Sequence, residues 1–213
     1  MTITSYQIRQ CIRSECKLRY PWVIGTAYTE RCPRCGGSTR LILARNMEDL
    51  TPNSAKPILN NSMEVLLDNI RSAWNVGSIF RTAEGVGIRR IHLCGITPTP
   101  DNPKVTKTAL GTEETVSWNY STNSIDTVLR LKKQGLRLWA LEWDVRSESL
   151  IEVTKGLPGP PVVLVVGNEV CGVDPGVLEV CERIIYVPML GIKRSFNVAV
   201  VFGIAAYYFT CIQ

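Results

Sequence analysis

One stretch, residues 161–209, limits the fold of this chain more than any other: PVVLVVGNEVCGVDPGVLEVCERIIYVPMLGIKRSFNVAVVFGIAAYYF. A β-branched apolar run, Val162 to Val166, breaks at Gly167 into the polar turn Asn168-Glu169, and Gly172 follows. A second run, Ile184-Ile185-Tyr186-Val187, breaks at Pro188; a glycine loop from Gly191 to Arg194 then leads into Ser195-Phe196-Asn197 and an apolar helix. Two buried strands therefore end in polar, glycine-bearing loops at one edge of a sheet. Open α/β sheets take their ligands beyond the carboxyl ends of their strands, so this edge is the expected active site.

The preceding residues predict a β-loop-α-β unit. Met63 to Asn69 reads as a strand, Ile70 to Gly77 as the loop, and Ser78 to Val86 as a helix, with Ile79, Phe80, Ala83 and Val86 on one face and Gly87 as its stop. Ile88 to Cys94 reads as the next strand. Pro98 to Val116, proline-rich and then polar, reads as a long surface connection of the kind that often carries function. Ser124 to Lys133 reads as a helix, Arg137 to Leu141 as a strand and Pro158 to Pro161 as a turn. Alternating strands and helices imply an α/β domain with a mostly parallel sheet covered on both faces.

Cysteine spacing decides the N-terminal segment. Cys11-x4-Cys16, fifteen further residues, then Cys32-x2-Cys35 followed by Gly36-Gly37, has the layout of a zinc ribbon: two knuckles whose thiolates converge on one tetrahedral Zn²⁺. Two disulfides are the alternative, disfavoured in a cytoplasmic chain. About 35 residues bury too little to fold alone, so the metal would supply most of the folding energy. The net charge of +5 sits here: residues 1–45 hold eight Lys and Arg against Glu15 and Glu30. A basic module beside a nearly neutral domain suggests a polyanionic partner, most simply nucleic acid; a solvated basic surface is the bland reading. Residues 46–62, with two prolines and four asparagines, read as a linker. The expected organisation is a ribbon-like module at 1–45, a linker at 46–62 and an α/β domain at 63–213. No apolar run reaches the length of a membrane span, and the opening MTITSYQIRQC lacks a signal-peptide core; the expected location is cytoplasmic.

Several chemistries are excluded. No G-x-G-x-x-G and no Walker phosphate loop occurs. The single histidine, His92, lies mid-strand between Ile91 and Leu93 and reads as structural, which removes Ser-His-Asp and Cys-His catalysis. The reaction must run on Arg, Glu, Ser, Asn and backbone groups.

Three blocks carry a resemblance: Asn75-Val76-Gly77-Ser78-Ile79-Phe80-Arg81-Thr82-Ala83, Gly167-Asn168-Glu169-Val170-Cys171-Gly172, and Pro188-Met189-x5-Ser195-Phe196-Asn197-Val198. In order and spacing they resemble the N-x-G-x-x-x-R-x-A, G-x-E-x-x-G and P-M-x5-S-L-N-V motifs of the SpoU (TrmH-like) branch of the SPOUT RNA methyltransferases. The resemblance covers about residues 63–209, and Ala109 to Glu114 is similar to a further family segment. Phe196 replaces the usual leucine and Ala199 a common serine.

The resemblance implies a C-terminal trefoil knot that holds S-adenosylmethionine in a bent form, and transfer of its methyl to a ribose 2′-hydroxyl of tRNA or rRNA. By position Arg81 is the catalytic arginine, which more easily stabilises an alkoxide or holds a phosphate than acts as a base. Asn75 orients it or the ribose, Glu169 holds Arg81 or accepts backbone N–H groups, and Ser195 and Asn197 line the methyl-transfer side. Gly167, Asn168, Glu169, Gly172, Pro188, Ser195 and Asn197 belong to the cofactor site, with backbone groups at Ile185, Val187 and Met189 reading the adenine edge. Gly191 also lets the backbone approach closely. Structural alternatives stand beside these roles: an ion pair of Arg81 with Glu84 or Glu169, turn formation for Glu169, helix capping for Ser195. Val198 to Phe209 is apolar nearly all round, which implies a homodimer helix by the resemblance or a buried core helix. The competing function is a non-catalytic zinc-ribbon RNA-binding protein on a degenerate methyltransferase fold. A DNA target is excluded by the 2′-hydroxyl acceptor.

Overall fold

The computed structural model describes residues 5–23, 30–46, 63–153, 161–193 and 195–212. The expected linker lies outside these apart from Asn46, and so does most of the expected turn at 158–161. The chain divides into two compact units, Met1–Lys56 and Pro57–Gln213.

The first unit is a three-stranded antiparallel sheet of β1 (Ser5–Cys11), β2 (Arg19–Val23) and β3 (Thr39–Asn46), in the order β2-β1-β3. Its two cysteine-bearing turns are tight. Cys16 N–H donates to the Arg13 carbonyl at 3.1 Å, and Gly36 N–H to the Cys32 carbonyl at 2.8 Å. Gly36 sits at φ +66°, the left-handed region where glycine costs least.

Among the described residues, the second unit is a parallel seven-stranded sheet flanked by five α-helices. In chain order it runs β4 (Met63–Asp68), α1 (Ala73–Gly85), β5 (Arg90–Cys94), α2 (Pro103–Ala109), β6 (Ser117–Ser121), α3 (Ser124–Lys133), β7 (Arg137–Leu141), β8 (Glu148–Ser149), β9 (Val162–Val166), α4 (Pro175–Val180), β10 (Arg183–Tyr186) and α5 (Val198–Tyr207). The strand order is β6-β5-β4-β9-β7-β10-β8, and every pairing is parallel. Side chains alternate between two cores. Val65, Leu67, Leu164 and Trp139 pack toward α1, α2 and α5, whereas Leu66, Val163, Val165 and Ala140 pack toward α3 and α4. No described helix is long and apolar enough to cross a membrane.

Two local expectations are corrected. The loop expected over Ile70–Gly77 ends at Ser72, the N-cap of α1, so Asn75, Val76 and Gly77 are helical. The Ser72 hydroxyl accepts from Asn75 N–H at 3.4 Å, a cap overlooked because an asparagine and a glycine in the first turns read as loop. The connection at 98–116 is not purely surface. Asn102 caps α2, Pro103 takes its first turn, and Val105 and Ala109 are fully buried. β6, β8 and α4, short or half-polar, carried no periodicity long enough to read. His92 is buried in β5, its Nε2 2.7 Å from Glu64 Oε2.

The α1–α2 contact explains the glycine of the first block. A Cβ at Gly77 would run into the Val105 carbonyl oxygen and sit 2.8 Å from Thr108 Cβ, whereas one at Gly85 meets nothing within 4 Å. Gly77→Ala therefore overpacks the contact, at about 1–3 kcal/mol, and should lower the melting temperature by several degrees, since each kcal/mol moves it roughly 2–4 °C in a chain of this length. Gly85→Ala should hold or raise it, because alanine is the better helix former by about 1 kcal/mol. Equal melting temperatures for the two variants would remove the packing explanation.

Candidate active site

The sheet changes direction between β4 and β9: β5 and β6 extend from one side, β7, β10 and β8 from the other. At such a switch point the loops leaving adjacent strands part and open a crevice. The loop after β4 leads into α1, and the loop after β9 carries Gly167 to Gly172. They are joined by Glu169, whose Oε2 accepts Arg71 N–H at 2.8 Å and whose Oε1 accepts Ser72 N–H at 3.0 Å and Asn75 Nδ2 at 2.8 Å. Burial pushes this carboxyl up, but the hydrogen bonds from Arg71, Asn75 and Ser72 outweigh it and hold Glu169 below the usual carboxylate range. The ionised group also faces the positive end of the α1 dipole.

The line continues into the third block. Asn75 Oδ1 accepts Asn197 Nδ2 at 3.2 Å, and Asn197 Oδ1 accepts Ala199 N–H at 2.9 Å, capping α5. Glu169, Asn75 and Asn197, far apart in sequence, thus form one hydrogen-bonded line. The cap of α5 is Asn197, which corrects the capping alternative for Ser195. The loop after β9 closes on itself: Asn168 and Gly172 exchange backbone hydrogen bonds at 3.0 and 2.9 Å, and Asn168 Nδ2 donates to the Asn69 carbonyl at 2.7 Å. A Cβ at Gly167 would enter the backbone of Gly172 and Val173.

Beside this line, above the ends of β7, β9 and β10, lies a cavity of about 610 Å³, within the range of cofactor sites. Of the residues singled out above, Gly167, Asn168, Gly172, Ile185, Val187, Met189 and Ser195 line it. Glu169, Asn75, Asn197, Pro188 and Arg81 do not. Sequence reasoning missed Glu142 and Trp143, which line it from the end of β7, and Lys193 in the third loop. The strand-end rule that flagged β9 and β10 could have found Glu142, since Arg137–Leu141 was already read as a strand.

Arg81 is exposed on α1 and has no hydrogen bond or ion pair among the described residues, so neither ion-pair alternative, Glu84 or Glu169, is realised. In the first unit the four thiols of Cys11, Cys16, Cys32 and Cys35 lie within 4.8 Å of one another, with Cys11–Cys35 at 3.6 Å and Cys16–Cys32 at 3.7 Å. Those separations exceed the roughly 2.05 Å of a disulfide and fit a tetrahedron of Zn–S bonds of about 2.3 Å, whose edges are roughly 3.8 Å.

The Glu169 geometry fixes the sign of a pH effect. Its folded pKa lies below the unfolded one, near the ordinary 4.5, so its contribution is complete above that value and is lost as pH falls through the folded pKa. Glu169→Gln should melt about 2–4 °C below wild type at pH 7, the effect of roughly 1 kcal/mol for a lost cap. The gap should close as pH is lowered from about 5 toward 3. A gap independent of pH would show that the charge contributes nothing.

Comparison with known proteins agrees with this geometry. A sequence model described as the SpoU rRNA Methylase family matches residues 62–207. The chain is 32% identical over 146 residues to a tRNA (guanosine(18)-2′-O)-methyltransferase of Aquifex aeolicus, a match covering 67% of this chain and 66% of that protein. It is 31% identical over 158 residues to a 23S rRNA (guanosine-2′-O-)-methyltransferase, RlmB, of Neisseria meningitidis, covering 74% and 60%. The matches therefore span 66% and 60% of the length of these relatives, less than two thirds of each. Among solved structures, an AdoMet-bound rRNA methyltransferase from Sinorhizobium meliloti superposes with a TM-score of 0.62 at 25% identity, over 68% of this chain and 54% of that one. With the family match spanning more than two thirds of its length and the three blocks meeting at one strand-end crevice, this chain belongs to the SpoU rRNA Methylase family.

Proposed function

We propose that the chain is an S-adenosylmethionine-dependent RNA methyltransferase that methylates a ribose 2′-hydroxyl of tRNA or rRNA. The observation that carries this reading is the convergence of Glu169, Asn75 and Asn197 beside a cavity walled by the strand-end loops. The cavity suits the cofactor: its walls are largely apolar, from Val166, Ile185 and Val187, with a few polar groups such as Asn168 and Ser195 among them. Gly167, Asn168, Gly172, Met189 and Ser195 would hold it. Bound there, the cofactor supplies an electrophilic methyl group on a sulfonium. The acceptor hydroxyl must lose its proton as it attacks. Arg81, without a partner among the described residues, holds an RNA phosphate and stabilises the developing alkoxide through its guanidinium. Asn75, held from both sides by Glu169 and Asn197, orients the ribose. A tRNA or rRNA target implies action in the cytoplasm.

Further parts of the reading are the 63–213 catalytic domain, its knot and its dimer. A trefoil knot formed by the stretch from β9 to α5 agrees with the order of the elements: β10 pairs beyond β7, and the chain then returns so that α5 packs with α1 in one core. A homodimer agrees with α5, which buries Phe202, Ala205 and Ala206 yet exposes Val200, Ile204 and Tyr207. In the N-terminal module, Cys11, Cys16, Cys32 and Cys35 bind a structural Zn²⁺, and the surrounding Arg and Lys side chains contact RNA phosphates.

Two experiments test this. Labelled methyl transfer from S-adenosylmethionine to total RNA, with nucleoside analysis, should yield a 2′-O-methyl nucleoside. Arg81→Ala should reduce the rate by about 10²-fold or more while S-adenosylhomocysteine still binds. Cofactor binding without transfer to any RNA would favour the non-catalytic RNA-binding reading. Metal analysis should find one zinc per chain, lost in Cys35→Ser, and chelation should unfold the N-terminal module while the second unit keeps its melting transition. Metal-free protein with an intact module would exclude the zinc.

A further inference from the structure

Glu142 follows the last residue of β7 and is the one carboxylate on the described wall of the cavity, yet it belongs to none of the three sequence blocks. Its backbone N–H donates to the Ile185 carbonyl at 2.9 Å, tying the strand end to β10. Its Oε1 accepts Trp143 N–H at 2.9 Å and its Oε2 accepts Val173 N–H at 3.1 Å. Gly172, at φ +75°, makes room for it: a Cβ there would strike the carboxylate. The group is therefore held in place from the β7 turn and from the β9 loop. An ionised carboxylate offers about four acceptor positions. Each oxygen of Glu142 uses one for a backbone amide and keeps one free. Among the described residues no cation pairs with Glu142; Lys193, the one basic side chain described on the wall, does not reach it. A half-buried carboxylate with open lone pairs on a cofactor-sized cavity calls for donors from the ligand.

We propose that Glu142 holds the ribose of the cofactor, receiving its 2′- and 3′-hydroxyls on the two free lone pairs. The proposal rests on the S-adenosylmethionine reading of the cavity. Two arguments select the ribose. The adenine lies along the backbone of Ile185, Val187 and Met189 in that reading; Glu142 is bonded to Ile185 itself, so the group attached directly to the adenine is the part of the ligand within its reach. A vicinal cis-diol also presents two O–H donors side by side, matching the two oxygens of a carboxylate, as a strand-end acidic residue matches a ribose hydroxyl in dinucleotide-binding sheets. Such charge-assisted bonds discriminate strongly against a ligand without the hydroxyls, because the carboxylate then stays desolvated and unpaired.

The test is calorimetric binding of S-adenosylhomocysteine, its 2′,3′-dideoxy counterpart and 5′-methylthioadenosine to the full chain, wild type beside Glu142→Gln. Wild type should bind the dideoxy ligand about tenfold or more weakly than the parent. Glu142→Gln should lose a comparable factor on the parent and on methylthioadenosine, but little further on the dideoxy ligand, so that the two losses do not add. Equal loss on parent and dideoxy ligand would mean that Glu142 only supports the β9 loop, and the proposal falls. Sensitivity on S-adenosylhomocysteine with none on methylthioadenosine would move the contact to the amino-acid tail and overturn it too. Should Glu142→Gln fail to fold, Glu142→Asp, with its carboxylate withdrawn by one methylene, carries the same comparison. A wild-type chain that binds none of the three ligands refutes the cofactor reading and this assignment with it, whereas binding indifferent to the diol refutes this assignment alone.

Discussion

The carboxylate of Glu169 is the contact on which the site depends. A helix N-terminus leaves backbone N–H groups without partners, and α1 begins at the one place where two loops of the sheet part. Glu169 resolves both problems: it supplies acceptors for Arg71 and Ser72 and pulls the β9 loop onto the start of the helix. It also takes the Asn75 side chain, which orients that amide so that its oxygen faces Asn197. A cap that elsewhere would only stabilise a helix here sets the register of three segments. The hydrogen bonds that hold the carboxyl ionised are the same ones that hold the loops together, so charge and geometry are fixed by one set of contacts.

The packing beneath explains why that arrangement can be rigid. Every described strand of the second unit is parallel, and the central ones, β4 and β9, are buried on both faces, Val162 to Val166 almost completely. A sheet covered on both faces has freedom only where its strands end, and the ends of β7, β9 and β10 are where the cavity lies. Glycine appears where side chains would block that geometry: Gly77 lets α2 approach α1, Gly167 lets the β9 loop close, and Gly172 leaves space for Glu142. α5 differs from the other described helices in leaving three large apolar side chains, Val200, Ile204 and Tyr207, exposed on one face. The first unit follows different physics. Its strand β3 is exposed over most of its length, its buried side chains among the described residues are few, and four converging thiols stand where a larger domain would have a core.

The sequence reading followed the strength of each local signal. β7, β9 and α3 were legible to the residue: β9 is an uninterrupted apolar run rich in valine, β7 a short apolar run opened by Arg137, and α3 keeps a clean 3.6-residue period. The start of α1 was not, since Asn75 and Gly77 are poor helix formers that only the Ser72 cap and the Glu169 carboxylate, 97 residues away, bring into the helix. α2 was hidden for a related reason: Asn102 and Pro103 read as turn residues until the buried faces of Val105 and Ala109 show which element they begin. Within the site, the block residues could be named in advance because motif spacing is one-dimensional. Glu142 belongs to no block; its place just past β7 marks it only as a strand-end residue, and the segments that hold it, β10 and the β9 loop, meet it in space.

The sequence by itself determined the class of the fold, the family and the chemistry available: periodicity set a parallel α/β sheet, three spaced blocks identified the SpoU family, and a lone mid-strand histidine removed the common nucleophilic routes. Only the tertiary structure decided which of those residues meet. The line from Glu169 through Asn75 to Asn197, the cavity wall that includes Glu142 and omits Arg81, and the convergence of four thiols each join side chains from separate strands, turns or loops. The reason is physical. Local pattern records how each segment satisfies its own backbone and buries its own face, whereas a site is made where the unsatisfied ends of several segments are brought within hydrogen-bonding distance, and that distance exists only after the sheet has formed.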